Sequence, residues 1–320
     1  MNEYRGKHAP SHPWPVASSA SVRSGPSGRH RKKARRHRFR LIIACLVILA
    51  FISYPFIEAR LILTTDTHDL LASDLVLPDN MSQLRVVYVS DIHWGFWYSD
   101  SDLGRLVSRI NHLNPDLVLF GGDYATDNAS AITFFNRLQQ YKIHVRFSMY
   151  GVLGEAEYAG EDPDIGRLKD AMANAKVTPL VNDTAVVRLG NGSQIYLAGA
   201  DDVTSGTPQL DRLASSVSAS DYVIFMAHNP SVIPSAQQQK DRKGSFDWFD
   251  LGLFGHTHGG QLRVFSEWLD LAGDVPERYR EGWLNENRSS LLISRGVGTS
   301  DFPCRLFCFP QIHCIIIKPN

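Results

Sequence analysis

From residue 84 onward the chain alternates between two patterns. Short apolar runs recur as "LRVVYVSD", "PDLVLFGGD", "VRFSMYGVLG", "QIYLAGA", "DYVIFMAH", "DLGLFGH", "SLLISRG" and "HCIIIK". Between the early runs lie segments with apolar residues three and four apart: Leu103, Leu106, Val107 and Ile110 within 101–113, and a second segment over 128–141. Unbroken runs of roughly five to eight apolar residues predict strands covered on both faces, and the three-four spacing predicts the helices that cover them. The alternation of the two predicts an α/β domain. No internal repeat is present.

One run is of another kind. "LIIACLVILAFISYPFI", residues 41–57, holds no charge in 17 positions. That is at the short end of the roughly 17–25 residues with which a helix spans a bilayer. "RHRKKARRHRFR" stands directly before it. Lys and Arg at one end of an apolar span stay on the cytoplasmic side, and anionic lipid attracts them. The expected topology is a single-pass protein of the cell membrane, N-terminus cytoplasmic and body extracytoplasmic. A cleaved signal peptide is the rival reading. The run exceeds the roughly 7–15 residues of a signal core, and only a weak "IEA" ending at Ala59 follows it. Arg35-Arg36 would suit a twin-arginine signal, but Phe39 falls one residue late. Residues 1–40 read as a disordered basic tail, rich in Ser, Pro and Gly at its start. Residues 41–57 are the anchor, 58–83 a connector with some strand content, and 84–320 the folded domain.

Charge sharpens this division. Net charge is formally zero, but residues 1–40 carry 11 Lys and Arg against one acid, leaving 22 bases and 32 acids in the remainder. The basic block could also be read as a nucleic-acid patch, but next to an apolar span the orienting role is favoured, so no nucleic acid is expected and the partner, through the anchor, is membrane lipid. Of four cysteines, Cys45 lies in the apolar span, and Cys304, Cys308 and Cys314 cluster near the C-terminus. The expectation is buried cysteines with at most one bridge, which an extracytoplasmic body permits.

The chemistry sits where strands end. Asp91 and His93 follow the first strand in "SDIHWG", Asp123 the second in "GGD", Glu155 and Glu157 the third in "GEAE". His228 closes "YVIFMAHNP", and His256 and His258 follow "LGLFG". In open α/β sheets ligands collect at the carboxyl ends of strands. Alternate residues of an extended segment share a face, so Asp91 and His93 point together, as do His256 and His258. Alone, Asp123 reads as a helix cap and any single histidine as a hydrogen-bonded core residue; the ordered set reads as a metal site. Trp94, Phe96 and Trp97 in "HWGFWYSD" either cover a lipid or a base, or pack as a loop.

Taken together, "DIH", "GGD", the GxxE segment, "AHNP" and "GHTHGGQ" resemble the successive motifs of the calcineurin-like metallophosphoesterases over roughly residues 84–318. The likeness is to the membrane-associated bacterial branch, which includes cell-wall-associated phosphoesterases and UDP-diacylglucosamine pyrophosphatase-like enzymes. "SRGVGTSDFPCRLFCFPQI" also resembles the C-terminal segment of that branch. The resemblance implies a four-layer αββα sandwich of two mixed sheets behind one N-terminal transmembrane helix. It implies two divalent ions (Mn, Fe, Zn or Ni), with Asp91, His93 and His258 on one, Asp123 bridging, and His228 and His256 on the other. Such a pair clamps a phosphoryl group and generates hydroxide from bound water. Asp123, Glu155 and His228 form the expected catalytic set, and Trp94 and Asn229 are candidate substrate contacts. One motif departs from the family: Gly-Asn-His-Asp here reads Gly154-Glu155-Ala156-Glu157. Glu155 can replace the ligating Asn. Ala156 cannot replace the His that helps protonate the leaving group, a contribution of about 10²–10⁴ in rate. Two readings follow: a hydrolase of a phosphodiester or pyrophosphate, lipid- or nucleotide-linked, and a metal-binding pseudoenzyme that recognises a phosphorylated ligand.

Overall fold

The computed structural model describes residues 28–95, 97–264, 267–269, 275–300 and 302–320. The start of the tail and Phe96 lie outside the described residues. The α-helices among the described residues are α1 (Gly28–Leu61), α2 (Asp100–His112), α3 (Asn128–Leu138), α4 (Ile165–Asn174), α5 (Leu210–Ser216) and α6 (Ile233–Ala236). The strands are β1 (Thr64–Ala72), β2 (Leu84–Val89), β3 (Leu117–Phe120), β4 (Ser148–Gly151), β5 (Val177–Pro179), β6 (Asp183–Gly190), β7 (Ser193–Gly199), β8 (Val223–Met226), β9 (Leu251–Phe254), β10 (Leu262–Val264), β11 (Glu267–Leu269), β12 (Gly282–Glu286), β13 (Ser289–Ile293) and β14 (Gln311–Pro319).

Two six-stranded sheets result, ordered β1-β14-β2-β3-β4-β5 and β12-β13-β9-β8-β7-β6, besides the β10-β11 ribbon. Both are mixed: β2 to β5 run parallel and β14 pairs antiparallel with β2, while β13, β9, β8 and β7 run parallel between antiparallel edges. The two-residue period of a strand shows how the layers stack. In β2, Val87 and Val89 pack with the residues of α2 and α3, whereas Val86 and Tyr88 join Leu251, Leu253, Ile224 and Met226 from the other sheet. In β8, Val223 and Phe225 face the layer of α5, α6 and Trp248. Every central strand is therefore apolar on both faces, and the order is helices, sheet, sheet, helices: the αββα sandwich expected.

The N-terminal boundaries differ from the sequence expectation. α1 begins at Gly28, so residues 28–40 are helical where a disordered tail was expected. Arg, Lys and Ala are good helix formers, and a helix already nucleated in the apolar run propagates through them at little cost. One helical stretch, Arg35–Leu61, is long and apolar enough to cross a membrane. Residues 58–61 continue the helix. Residues 64–72, expected in a connector, form β1 on the edge of the first sheet, parallel to β14, and the Thr64 N–H and hydroxyl both donate to Pro310 O (2.9 and 2.8 Å). Ile52–Asn320 is one compact unit and the chain up to Phe51 a separate one. Cys45, Cys304, Cys308 and Cys314 are all free thiols, with Cys308 and Cys314 buried; no bridge forms.

Candidate metal centre

The polar residues that follow β2, β3, β8 and β9 meet at one edge of the sandwich. Backbone bonds stitch the loops together: Asp91 N–H donates to Gly122 O (3.0 Å), His93 N–H to Asp123 O (3.0 Å), and Gly255 N–H to His228 O (2.8 Å). His256 N–H donates to Asp91 Oδ1 at 2.8 Å and so ties the two sheets to each other. The paired side chains do not share a face through extended backbone, as the alternation argument supposed. Asp91, His93, Asp123, His256 and His258 all sit in the left-handed region, with φ between 45° and 70°. Each such non-glycine residue costs on the order of 1–3 kcal/mol, and strain of this kind gathers where a site demands it. Gly154 is needed for another reason. A Cβ there would meet Asp123 Oδ1 at 2.3 Å and the His228 ring at 2.7 Å.

Two groups of metal-competent atoms form. Asp91, His93 and His258 make one and Asp91, Asp123 and His228 the other, with the atoms of each within 4.8 Å of one another. His93 Nε2 lies 3.1 Å from His258 Nε2 and 3.5 Å from Asp123 Oδ2. His228 Nε2 lies 3.3 Å from Asp123 Oδ2 and 3.9 Å from Asp91 Oδ1. Asp91 is thus common to both groups. Glu155 and His256 stand outside them but face each other, Oε1 to Nδ1 at 3.9 Å, on the same cleft.

The donor set fits cations. Asp91 Oδ2 and His228 Nε2 are buried and have no hydrogen-bond partner; atoms in that condition are costly unless something else completes them. His228 Nδ1 donates to Gly121 O at 2.8 Å, which fixes the tautomer and leaves the Nε2 lone pair facing the carboxylates. Burial opposes ionisation of Asp123, yet the neighbouring His228 and His93 charges outweigh it and hold the carboxyl below its usual range. Burial likewise opposes a charged His228, but Asp123 and Asp91 raise its pKa well above the ordinary value. The field that draws a proton to His228 would draw a cation. His258 is held neutral, its pKa lowered by burial and then by the charges of His93 and Arg305. Neutral imidazole is the form that ligates.

Three residues support the centre in roles the sequence does not announce. Glu157 was counted among the potential ligands, but it is fully buried and turned to the backbone. Its Oε2 accepts the N–H groups of Asp123 (2.9 Å) and Gly154 (2.7 Å), and its Oε1 that of Tyr124 (2.9 Å). Burial and the Asp123 charge push its carboxyl up to about 8 against the pull of these donors. Arg305 is buried and donates to the carbonyls of Gly298 and Arg295, with Nη2 at 3.2 Å from His258 Nδ1. Glu58, near the end of α1, is buried and accepts the N–H groups of Phe307 (3.0 Å) and Cys308 (2.7 Å), while Arg305 N–H donates to Pro55 O (2.9 Å).

The ligand cluster opens into a cleft of about 620 Å³ lined by His93, Asp123, Glu155, Ala156, His256 and His258, with Trp97 and Thr299 at its side. The tryptophan on the cleft is Trp97 and not Trp94, which packs against the first sheet's core and donates to Asp100 Oδ1 (3.1 Å). Asn229 caps a short turn: its Oδ1 accepts Ser231 N–H (2.9 Å) and its amide donates to Thr204 Oγ1 (3.3 Å). Ala156 presents no acid to the cleft; its N–H donates to Asp123 Oδ1 (3.0 Å).

Comparison with known proteins bears on this geometry. The chain is 25% identical over 265 residues to the uncharacterized metallophosphoesterase YkuE of Bacillus subtilis, covering 82% of this chain and 88% of that one. It is 27% identical over 248 residues to the phosphodiesterase YaeI of Escherichia coli, covering 73% and 82%. It is 30% identical over 253 residues to a transmembrane protein with metallophosphoesterase domain of Danio rerio, covering 76% of this chain and 55% of that longer one. Residues 84–260, more than half of the chain and the whole span from β2 through the last histidine loop, match the calcineurin-like phosphoesterase family. The chain belongs to that family, and is a metallophosphoesterase.

Proposed function

We propose that the protein is a membrane-anchored hydrolase of a phosphodiester or pyrophosphate, working with two divalent ions at the outer face of the cytoplasmic membrane. The observation that carries this reading is the meeting of Asp91, His93, Asp123, His228 and His258 on one cleft, with two buried ligand atoms left unpartnered. Asp91, His93 and His258 would hold one ion, His228, His256 and Glu155 the other, and Asp123 both. When bound, such a pair polarises phosphoryl oxygens and lowers the pKa of a water it holds.

The chain's own residues set the rest. His228 is oriented by Gly121 O, and Asp123 by the Ala156 N–H and by its own N–H on Glu157. The leaving oxygen must take a proton, and at the position where the family carries a histidine the cleft has only the Ala156 methyl. Of the other residues there outside the proposed ligand set, Thr126, Ser205, Thr257, Thr299 and Ser300 offer hydroxyls, too weakly acidic to serve. The reaction therefore suits leaving groups stable as anions. The placement outside rests on the span Arg35–Leu61 with basic residues at its leading end.

The test is metal stoichiometry and turnover of bis(p-nitrophenyl) phosphate, for the parent and Asp123→Ala. Two ions and turnover are expected in the parent, with both ions weakened and turnover lost in the variant. A variant that keeps two tightly held ions would sink the ligand assignment.

A further inference from the structure

Beside the cleft lies a second cavity of about 110 Å³, lined by Phe56, Ala59, Trp97, Tyr98, Thr299 and Pro303, with Arg60 at its edge. Two of its walls, Trp97 and Thr299, are also walls of the cleft. Two others, Phe56 and Ala59, belong to the closing turns of α1, where the apolar span ends. Of its walls Phe56 and Trp97 are exposed, as is Phe302, next in sequence to Pro303. Of these, Trp97 is of the kind that settles at a membrane–water interface, and the phenylalanines add exposed apolar surface.

From this continuity we infer that the cavity is a subsite for an alkyl chain, and that the substrate is a phosphoester borne by a membrane lipid. The inference rests on the hydrolase reading of the cleft and adds the substrate class to it. The phosphoester lies over the metal ligands, and the chain leaves past Trp97 and Thr299 toward the end of α1. At roughly 30 Å³ of liquid volume per water, the cavity has room for about three or four methylenes. It holds only the first stretch of a chain; the remainder stays in the bilayer, so the lipid need not be lifted out into water.

The experiment uses the full-length, metal-loaded chain in nanodiscs and a series of p-nitrophenyl n-alkyl phosphates, from ethyl to dodecyl. Water adds to phosphorus, the bond to the nitrophenyl oxygen breaks, and p-nitrophenolate is read at its absorbance. Each methylene buried in the cavity should raise kcat/KM about four-fold, over a window of about three or four methylenes, before the rate levels off. Ala59→Leu, which fills the cavity, should flatten that window relative to its own ethyl ester. Phe56→Ala, a change at an exposed position, should lower the slope without threatening the fold. Partition of longer esters into the bilayer is the same for parent and variants, so only the difference between them counts. Equal rates along the series, or a slope unchanged in both variants, would overturn the subsite while leaving the hydrolase standing. No turnover of any ester, bis(p-nitrophenyl) phosphate included, would overturn the hydrolase reading itself.

Discussion

Replacing Glu157 by Gln tests whether a residue that touches no reacting atom holds the centre in shape. The carboxylate accepts three buried N–H groups, those of Asp123, Tyr124 and Gly154, at 2.7–2.9 Å on two oxygens. Gln keeps the volume but has one acceptor oxygen. It can serve the Asp123–Gly154 side or the Tyr124 side, and its NH₂ then points at the N–H left over. Above about pH 8, where the carboxyl is ionised, one charge-assisted bond is lost, worth about 1.5–3 kcal/mol, and a buried donor is left unsatisfied; the melts are therefore run at pH 9. The relief of burying a neutral group offsets part of this, so a net loss of about 1.5–3 kcal/mol is expected. At about 2–3 °C per kcal/mol for a domain of this size, Tm falls by about 3–9 °C. Asp123 sits at φ +52° at the point Glu157 grips, so the loosened turn should also weaken metal binding, by about 10–100-fold as for other partners of ligands. Circular dichroism melts of the metal-free protein and calorimetric metal titration read the two effects separately. Unchanged melting together with unchanged metal affinity would refute the reasoning.

Ala156→His supplies the missing acid and should raise turnover of alkyl phosphodiesters by about 10–10³-fold, with little gain on aryl esters; equal gain on both, or none, in a steady-state leaving-group series would count against the role given to Ala156. Asp250 is pushed up to about 6, chiefly by burial, so the folded chain holds a proton there that the unfolded chain releases near pH 4. Its contribution to stability is therefore lost as pH rises from about 4 to 6, by at most about 3 kcal/mol. Asp250→Asn, whose side-chain oxygen can still accept the Val223 N–H, should gain on the parent at pH 8 and match it below pH 4 in thermal melts. Protease added to sealed vesicles of known sidedness should digest the body only from the outer face; digestion from the cytoplasmic face would reverse the topology.

The ligands were legible because the sandwich places them at strand ends. An apolar run that stops in Asp or His announces both the strand and the position, as "LRVVYVSDIH" and "LGLFGHTH" do. Glu157, Arg305 and Glu58 were not legible in their roles. Their partners are backbone N–H and carbonyl groups up to 250 residues away, and nothing in a side chain's identity records which loop will present such groups. Asn229 and Trp94 each adjoin a ligand in sequence, while the Asn229 side chain caps a turn and that of Trp94 packs against a core. β1 was legible only as some strand content in a connector, because "TTDTHDLLA" alternates partly exposed polar residues on an edge strand, and β5 was not legible because three residues carry no period.

Only Ile62 and Leu63 separate the end of α1 from β1. A domain on a long flexible stalk sweeps a volume set by the stalk and reaches targets across it. Under the anchoring proposed above, this one would have almost no tether length to spend, because Glu58 and Pro55 are already bonded into the 305–308 loop. Nor is there an exposed stalk for a protease to nick, since loose, solvated backbone is where nicking concentrates. A cut at residue 60 would carry off Glu58 and leave the N–H groups of Phe307 and Cys308 without their acceptor, beside the arginine that adjoins His258. Such a cut would thus leave a damaged enzyme, and a truncated form prepared for study should keep the chain from Ile52 onward.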